Sequence, residues 1–254
     1  MRIVSWNVNG IRSAEKALIA FLNEYQPEIL LLQELRAHPN DLSFFLKMID
    51  GYRVEFNPAD RPGYSGTAVY YRNNLDCQIK TDFDQAILSE EGRGMRLDAS
   101  DICLLNFYVP NGNSSNQRLQ YKLDYIKAVK EVAEEIINQG KPVVIGADMN
   151  IGHTEKDTYR PETAKNSSGF LPVERNLFGQ LLETGLADVF RLFEKEGGHY
   201  TWWSFDDKER IKNHGWRFDY FLASKNLIPK IGDSKILSDV FGSDHCPILL
   251  ELEI

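Results

Sequence analysis

Cysteine is scarce in this chain. Three thiols, Cys77, Cys103 and Cys246, are spread over 254 residues with no Cys-x-x-Cys pair among them. That argues against a zinc ribbon or a disulfide framework and favours buried thiols in a reducing compartment. Long apolar runs are missing as well. No stretch of about twenty apolar residues exists to span a bilayer. The opening segment "MRIVSWNVNG" lacks a basic region followed by an apolar one, so no secretory leader is expected and the cytoplasm is the expected compartment. Nor is there a surplus of positive charge. The formal net charge is -8, which argues against a protein that coats nucleic acid non-specifically. It leaves room for an enzyme whose acids gather at a metal while lysines and arginines line a groove. Low-complexity tracts and Pro/Ser-rich linkers are also absent, so residues 1–254 are read as one domain.

What is present is a succession of short β-rich runs. They cover Arg2–Asn7, Glu28–Gln33, Tyr52–Phe56, Gly66–Arg72, Ile102–Val109, Pro142–Ala147, Tyr200–Trp203, Phe218–Ala223 and Ile248–Leu252. Helical periodicity falls between some of them, over Ser13–Tyr25, Asp41–Ile49, Asn116–Gln139 and Pro172–Glu183. The third is the longest, with Leu119, Leu123, Ile126, Val129, Val132 and Ile136 at three-to-four spacing and Gly140 behind it as a terminator. Mixed strands and helices in one long domain predict an α/β sandwich. "RIVSWNVN" and "PVVIGADMN" echo each other, hinting at two similar halves.

The polar residues are informative by position. Asn7 and Asn9 follow an apolar strand, as do Gln33 and Glu34; Tyr108 and Asn111 close another, and Asp148 and Asn150 a fourth. Asp219 lies inside "GWRFDYFL", and Asp244 and His245 precede the final strand. Loops at one edge of a sheet carry chemistry because the strands hold them rigidly. If these six ends meet, they form a pocket of carboxylates and amides that suits Mg²⁺ or Mn²⁺ better than zinc. Metal-assisted phosphoester hydrolysis follows from such a pocket. Each piece alone also has a plain explanation. Glu34 can be a solvated strand end, Asp148 and Asn150 a turn, Ser243-Asp244-His245 a capped loop, and Tyr108 or the tryptophans ordinary packing. Asp219 is harder to dismiss, since a carboxylate on so apolar a strand is costly to bury unpaired. His245 would be a suitable partner.

The ordered motifs "SWNVNGIR", "ILLLQELR", "GYSGTAVYYR", "NFYVPNG", "YKLDY", "VVIGADMNIGH", "SGFLPVER", "YTWWS", "GWRFDYFLAS" and "GSDHCPI" run from one end of the chain to the other. Together they resemble the exonuclease III family of abasic-site endonucleases, within the wider endonuclease/exonuclease/phosphatase superfamily. The resemblance implies a four-layer α/β sandwich of two packed mixed β-sheets flanked by helices. It implies Mg²⁺-dependent cleavage, with Mn²⁺ as a substitute, of the phosphodiester 5′ to an abasic site in duplex DNA, leaving a 3′-hydroxyl. 3′→5′ exonuclease activity and trimming of blocked 3′ ends accompany it in many relatives. No membrane partner is implied, and a monomer working at the nucleoid is expected.

Roles carry over position by position. Asn7, Glu34, Asp148, Asn150 and Asp244 match the metal-binding positions. Tyr108, Asp148, Asn150, Asp219 and His245 match catalytic ones, with Asp148 acting on the attacking water and Asp219 orienting His245. Trp202, Trp216 and Phe218 match the positions that wall a pocket for the extruded sugar, and Tyr64 and Asn111 lie in loops that look DNA-contacting. The usual Asn before "GF" is Ser168 here, with Asn166 slightly upstream as the expected DNA contact. Many relatives carry an acid where this chain has Asn9. Competing readings are a non-specific DNase or RNA nuclease, a phosphatase of inositol phosphates or sphingomyelin phosphodiesterase, and a binding protein without catalysis. "GWRFDYF" disfavours the first two, and the complete set of polar residues disfavours the last.

Overall fold

A computed structural model describes residues 1–99, 101–204 and 207–253. Fourteen strands occur among them: β1 (Arg2–Asn7), β2 (Ile29–Gln33), β3 (Tyr52–Asn57), β4 (Thr67–Arg72), β5 (Cys77–Lys80), β6 (Gly94–Ala99), β7 (Ile102–Tyr108), β8 (Val143–Asp148), β9 (Leu186–Asp188), β10 (Trp202–Trp203), β11 (Gly215–Trp216), β12 (Asp219–Ser224), β13 (Ile231–Ile236) and β14 (Ile248–Leu252). Two six-stranded mixed sheets result, ordered β13-β14-β1-β2-β4-β3 and β5-β6-β7-β8-β12-β9, while β10 and β11 form a small ribbon.

Side-chain alternation along the strands builds the layers. Ile3, Ile29, Leu31 and Val69 from the first sheet meet Leu97, Leu104, Val144 and Phe221 from the second in a dry interior. Val4, Trp6, Leu30 and Leu32 point the other way and pack with Leu18, Phe21 and Leu22 of the helix Ile11–Tyr25. On the far side, Leu105, Phe107, Ile145 and Leu222 pack with Ile126, Val129 and Phe178 of the helices Asn116–Asn138 and Pro172–Glu183. The order is helix, sheet, sheet, helix: the α/β sandwich read from the sequence, in the four-layer form that the resemblance implied. At the centre the sheets approach closely enough that Gly146 has no room for a side chain. An added Cβ would lie 2.5 Å from Leu31 Cδ1 and 2.9 Å from the Phe221 ring.

The sequence echo has a structural counterpart. β1 and β8 are central strands of the two sheets, each with one parallel and one antiparallel neighbour. Other expectations need correction. The helix expected over Asp41–Ile49 shrinks to Phe44–Lys47, because of its apolar residues Phe44, Phe45 and Met48 stay in solvent. The Leu46 carbonyl accepts the Tyr70 hydroxyl at 2.6 Å, which anchors this turn to β4. The strands β5, β6, β9, β11 and β13 were not evident in the sequence. "GMRLDA" and "IGDSKI" contain glycine, charge and aspartate, which are poor strand formers, and pairing to a neighbour is what makes them strands. No helix among the described residues is long and apolar enough to cross a membrane.

Candidate active site

Strand direction explains why the polar ends meet. β1 runs parallel to β2 with Asn7 opposite Gln33, and β7 runs parallel to β8 with Tyr108 opposite Asp148. Each pair ends together, and the 2.8 Å contact of Asn7 with Asp148 puts both pairs of ends at one edge of the sandwich. β12 is antiparallel to β8 and starts there, with Asp219 opposite Asp148. β14 is antiparallel to β1, so the turn before it delivers Asp244 and His245 to that edge. The chain bends sharply just beyond two strand ends: Glu34 and Asn150 have φ of 60° and 50°. Left-handed backbone at a non-glycine residue is uncommon and recurs at functional sites.

Asn7, fully buried, ties the two halves together. Its Nδ2 donates to Glu34 Oε2 at 2.9 Å and to Asp148 Oδ2 at 2.8 Å, while its Oδ1 accepts from the Asn9 amide at 2.9 Å. Asn9 in turn donates through Nδ2 to Asp244 Oδ1 at 2.9 Å, and Trp202 Nε1 donates to Asp244 Oδ2 at 3.0 Å. Asn150 caps Asp148: its backbone N–H donates to Asp148 Oδ1 at 2.9 Å and its Nδ2 to Asp148 Oδ2 at 3.3 Å. Asn111 approaches the Asn150 carboxamide at 3.5 Å.

Asp219 and His245 form a buried pair, with Oδ2 and Nδ1 2.8 Å apart. The other ring nitrogen, Nε2, stands 3.9 Å from Asp148 Oδ2. Burial by itself would favour a neutral ring, but Asp219 and then Asp148 override it and lift His245 to about 10. The ring is thus imidazolium at neutral pH. Burial, then the nearby Asp219 charge, pushes Asp148 up to about 7, against the opposing pull of His245 and of the Asn7 and Asn150 N–H groups. Burial, reinforced by Glu34, keeps the Tyr108 phenol far from ionisation, so it serves as a neutral donor. Arg93, itself buried, holds Tyr108 from behind, donating to its carbonyl at 3.1 Å and lying 4.6 Å over its ring.

A cleft of about 620 Å³ opens above these groups, lined among others by Glu34, Tyr64, Tyr108, Asn111, Asp148 and Asn150. Trp202, Trp216 and Phe218 form one wall, with ring centres 5.5 Å apart for Trp202–Phe218 and 5.2 Å for Trp216–Phe218. Strand alternation sends Arg217, between those aromatics, to the back, where it pairs with Asp157 and Asp188 at 2.7 and 2.6 Å. Asn7 and Asp219 lie beneath the floor. Asn166 is exposed and stands outside the lining, which Ser167 and Ser168 supply instead. Arg93 went unnoticed in the sequence, as did Arg36, which bonds Glu34 at 2.9 and 2.5 Å, and Ser243 was read only as part of a capped loop. Arg93 and Ser243 act through contacts distant in sequence, such as Ser243 Oγ donating to the Asn7 carbonyl at 2.8 Å, whereas Arg36 bonds a residue two positions away.

The residues fit a hard divalent cation. Carboxylate oxygens of Glu34 and Asp148 converge on one amide nitrogen, a crowding of negative charge that a cation would relieve, and Asn9 Oδ1 is a buried acceptor without a partner. Oxygen donors of this kind suit Mg²⁺ or Mn²⁺. Asp148, Asp219 and His245 also cluster within 4.8 Å. Nδ1 of His245 is already bonded to Asp219 at 2.8 Å, so this trio offers a hard cation fewer free oxygen donors than the Glu34 side does.

Residues 4–245 match the model of the endonuclease/exonuclease/phosphatase family. The chain is 34% identical to an exodeoxyribonuclease of Bacillus subtilis over the full length of both. It is 37% identical to a DNA-(apurinic or apyrimidinic site) endonuclease of Dictyostelium discoideum, over 98% of this chain and 69% of that one. Among solved structures, an AP endonuclease from Archaeoglobus fulgidus superposes with a TM-score of 0.88 at 26% identity, each chain covered completely.

Proposed function

Since the chain belongs to the endonuclease/exonuclease/phosphatase family, we propose that it is a DNA-repair nuclease that hydrolyses the phosphodiester 5′ to abasic sites in duplex DNA. The same site would trim blocked 3′ ends and remove nucleotides in the 3′→5′ direction. The observation that carries this reading is the junction of an aromatic-walled cleft with a carboxylate–imidazolium centre at one sheet edge.

Glu34 and Asp148, with Asn7 beneath, Asp244 beside them and Asn150 on Asp148, would hold Mg²⁺ or Mn²⁺. When bound, the cation neutralises phosphate charge and favours departure of the 3′-oxygen. The remaining work falls to the chain. Asp148, which the Asn150 backbone N–H holds at 2.9 Å, takes the proton of the attacking water, which Asn150 helps to hold. Water attacks phosphorus as its proton passes to Asp148, the bond to the 3′-oxygen breaks, and that oxygen takes up a proton from solvent, leaving a 3′-hydroxyl and a 5′-phosphate. His245, as imidazolium, and Tyr108, as neutral phenol, donate to phosphoryl oxygens as charge grows there. Preorganised donors of this kind are each worth about 10²–10³ in rate.

Selectivity comes from the cleft. An abasic nucleotide gives up no stacking when extruded, and Trp202, Trp216 and Phe218 offer its sugar an apolar wall. Tyr64 and Asn111 flank the cleft at the DNA-facing loops. The enzyme acts as a monomer of one domain, residues 1–254, in the compartment that holds the DNA: the cytoplasm, at the nucleoid. The test is to incubate the protein and Mg²⁺ with a duplex carrying one abasic analogue, beside an intact duplex, single-stranded RNA and an inositol phosphate. Preferential nicking of the abasic duplex is expected. Equal cutting of every nucleic acid, or turnover of the inositol phosphate alone, would overturn the assignment.

A further inference from the structure

Two motifs, "YKLDY" and "SGFLPVER", contribute little to the chemistry above, yet they meet directly behind it. Lys122 on the helix Asn116–Asn138 and Glu174 on the helix Pro172–Glu183 form an ion pair of 2.7 Å, with side chains 1% and 0% exposed. Burying two charges is costly unless their other donors and acceptors are filled. Here the loops of the cleft fill them. Glu174 Oε1 accepts from Ser168 Oγ at 2.7 Å, and Oε2 accepts from the backbone N–H of Gly169 and Leu171 at 2.7 and 3.0 Å. Lys122 Nζ donates to the Asn150 carbonyl at 2.7 Å.

That last bond links the pair to the proposed hydrolysis. Asn150 holds a left-handed backbone while its carboxamide bonds Val109 O at 2.9 Å and Asp148 at 3.3 Å. Gly169, bonded to Glu174, packs so closely that an added Cβ would lie 3.2 Å from the Phe218 ring and 3.3 Å from the Asn150 carbonyl. A clamp that served only to join two helices could be apolar and would not need to reach this carbonyl.

We propose that Lys122 is a positioning residue. Through the Asn150 carbonyl it keeps the Asn150 carboxamide on Asp148, and through Glu174 it holds the Ser167–Phe170 wall against Phe218. The role rests on the nuclease reading given above. Lys122→Met, Lys122→Arg and the double variant Lys122→Met/Glu174→Gln, whose amide keeps an acceptor for the Gly169 and Leu171 N–H groups, separate it from plain stabilisation. Each is assayed on the abasic duplex, with kcat expressed per folded molecule from near-ultraviolet circular dichroism and with Tm measured. Misplacement of a catalytic group by about 1 Å costs roughly 10²-fold. Lys122→Met should therefore lose about 10–100-fold in kcat with KM changed less than about threefold. The double variant leaves no buried charge; it should regain Tm while kcat stays low, and it carries the test should Lys122→Met not fold. Lys122→Arg keeps a donor to the carbonyl and should recover most of the loss. Recovery of kcat in step with Tm in the double variant would overturn the proposal, as would kcat within about twofold of wild type. Wild-type protein that leaves the abasic duplex uncut would refute the nuclease reading itself; wild-type cleavage with unimpaired variants would refute only the role of Lys122.

Discussion

Replacing Asp219 by asparagine preserves the shape of the side chain and removes a charge from a place where water does not dilute it. Asp219 is 2% exposed and 2.8 Å from His245 Nδ1. Burial favours the neutral ring, and the Asp219 charge is the largest influence opposing it, so that His245 stands at about 10 against an ordinary 6.5. That displacement corresponds to roughly 5 kcal/mol of preference for the imidazolium. Because the folded value is raised, the stabilisation is complete below pH 6.5 and is lost as pH climbs through about 10. In Asp219→Asn the burial remains and the leading attraction is gone, so the ring should titrate near or below neutrality. The measurement is an NMR titration of the His245 ring carbon in metal-free protein, from about pH 5 to about pH 10.5. Wild type should stay charged past about pH 8, and the variant should have lost most of its charge there. Turnover on abasic DNA at neutral pH should fall about 10²–10³-fold, with DNA affinity little changed. A wild-type ring titrating near its ordinary value, or one midpoint shared by both proteins, would refute the argument.

Four further outcomes follow from the same geometry. Glu34→Ala should raise the Mg²⁺ concentration needed for half-maximal cleavage at least tenfold (about what loss of one charged ligand costs); an unchanged metal titration would remove Glu34 from the cation site. Trp216→Ala should narrow the ratio of abasic to intact duplex cleavage, and an unaltered ratio would show that the wall does not select. Gly146→Ala forces a methyl group against Leu31 and Phe221 and should cost about 1–3 kcal/mol in urea unfolding; a neutral result would mean the sheets can separate freely. Arg217→Met leaves Asp157 and Asp188 without their shared cation and should destabilise by about 3–5 kcal/mol. In wild type Asp157 is depressed to about 2, since its bonds to Arg217 and Arg191 outweigh its burial. Its contribution is therefore present above pH 3.8 and lost as pH falls toward 2, and acid titrations of Tm should show that loss weakened in the variant.

The central strands were legible because each is a short apolar run with a polar residue at its exit, and that local pattern does not depend on the partner. Apolar spacing likewise marked the helices Asn116–Asn138 and Pro172–Glu183, which bury one face. The edge strands β5, β9 and β13 were not legible, whereas the edge strand β3 was. "IGDSKI" becomes a strand only when β14 lends it a ladder. The short helix Phe44–Lys47 shows the converse error: an apolar spacing suited to a longer helix, in a segment whose phenylalanines remain in solvent.

The sequence by itself determined which residue types stand at strand ends; that those ends share an edge was decided by strand direction and by the stacking of the two sheets. Only the tertiary structure decided which group touches which. Asn7 bridges two carboxylates, Asn9 holds Asp244, Lys122 reaches the Asn150 carbonyl, and Asn166 stands aside for Ser167 and Ser168. The physical reason is range. Periodicity and turn chemistry act over a few residues and are written locally, whereas the proton affinities of Asp148 and His245 depend on burial and on charges brought from far along the chain.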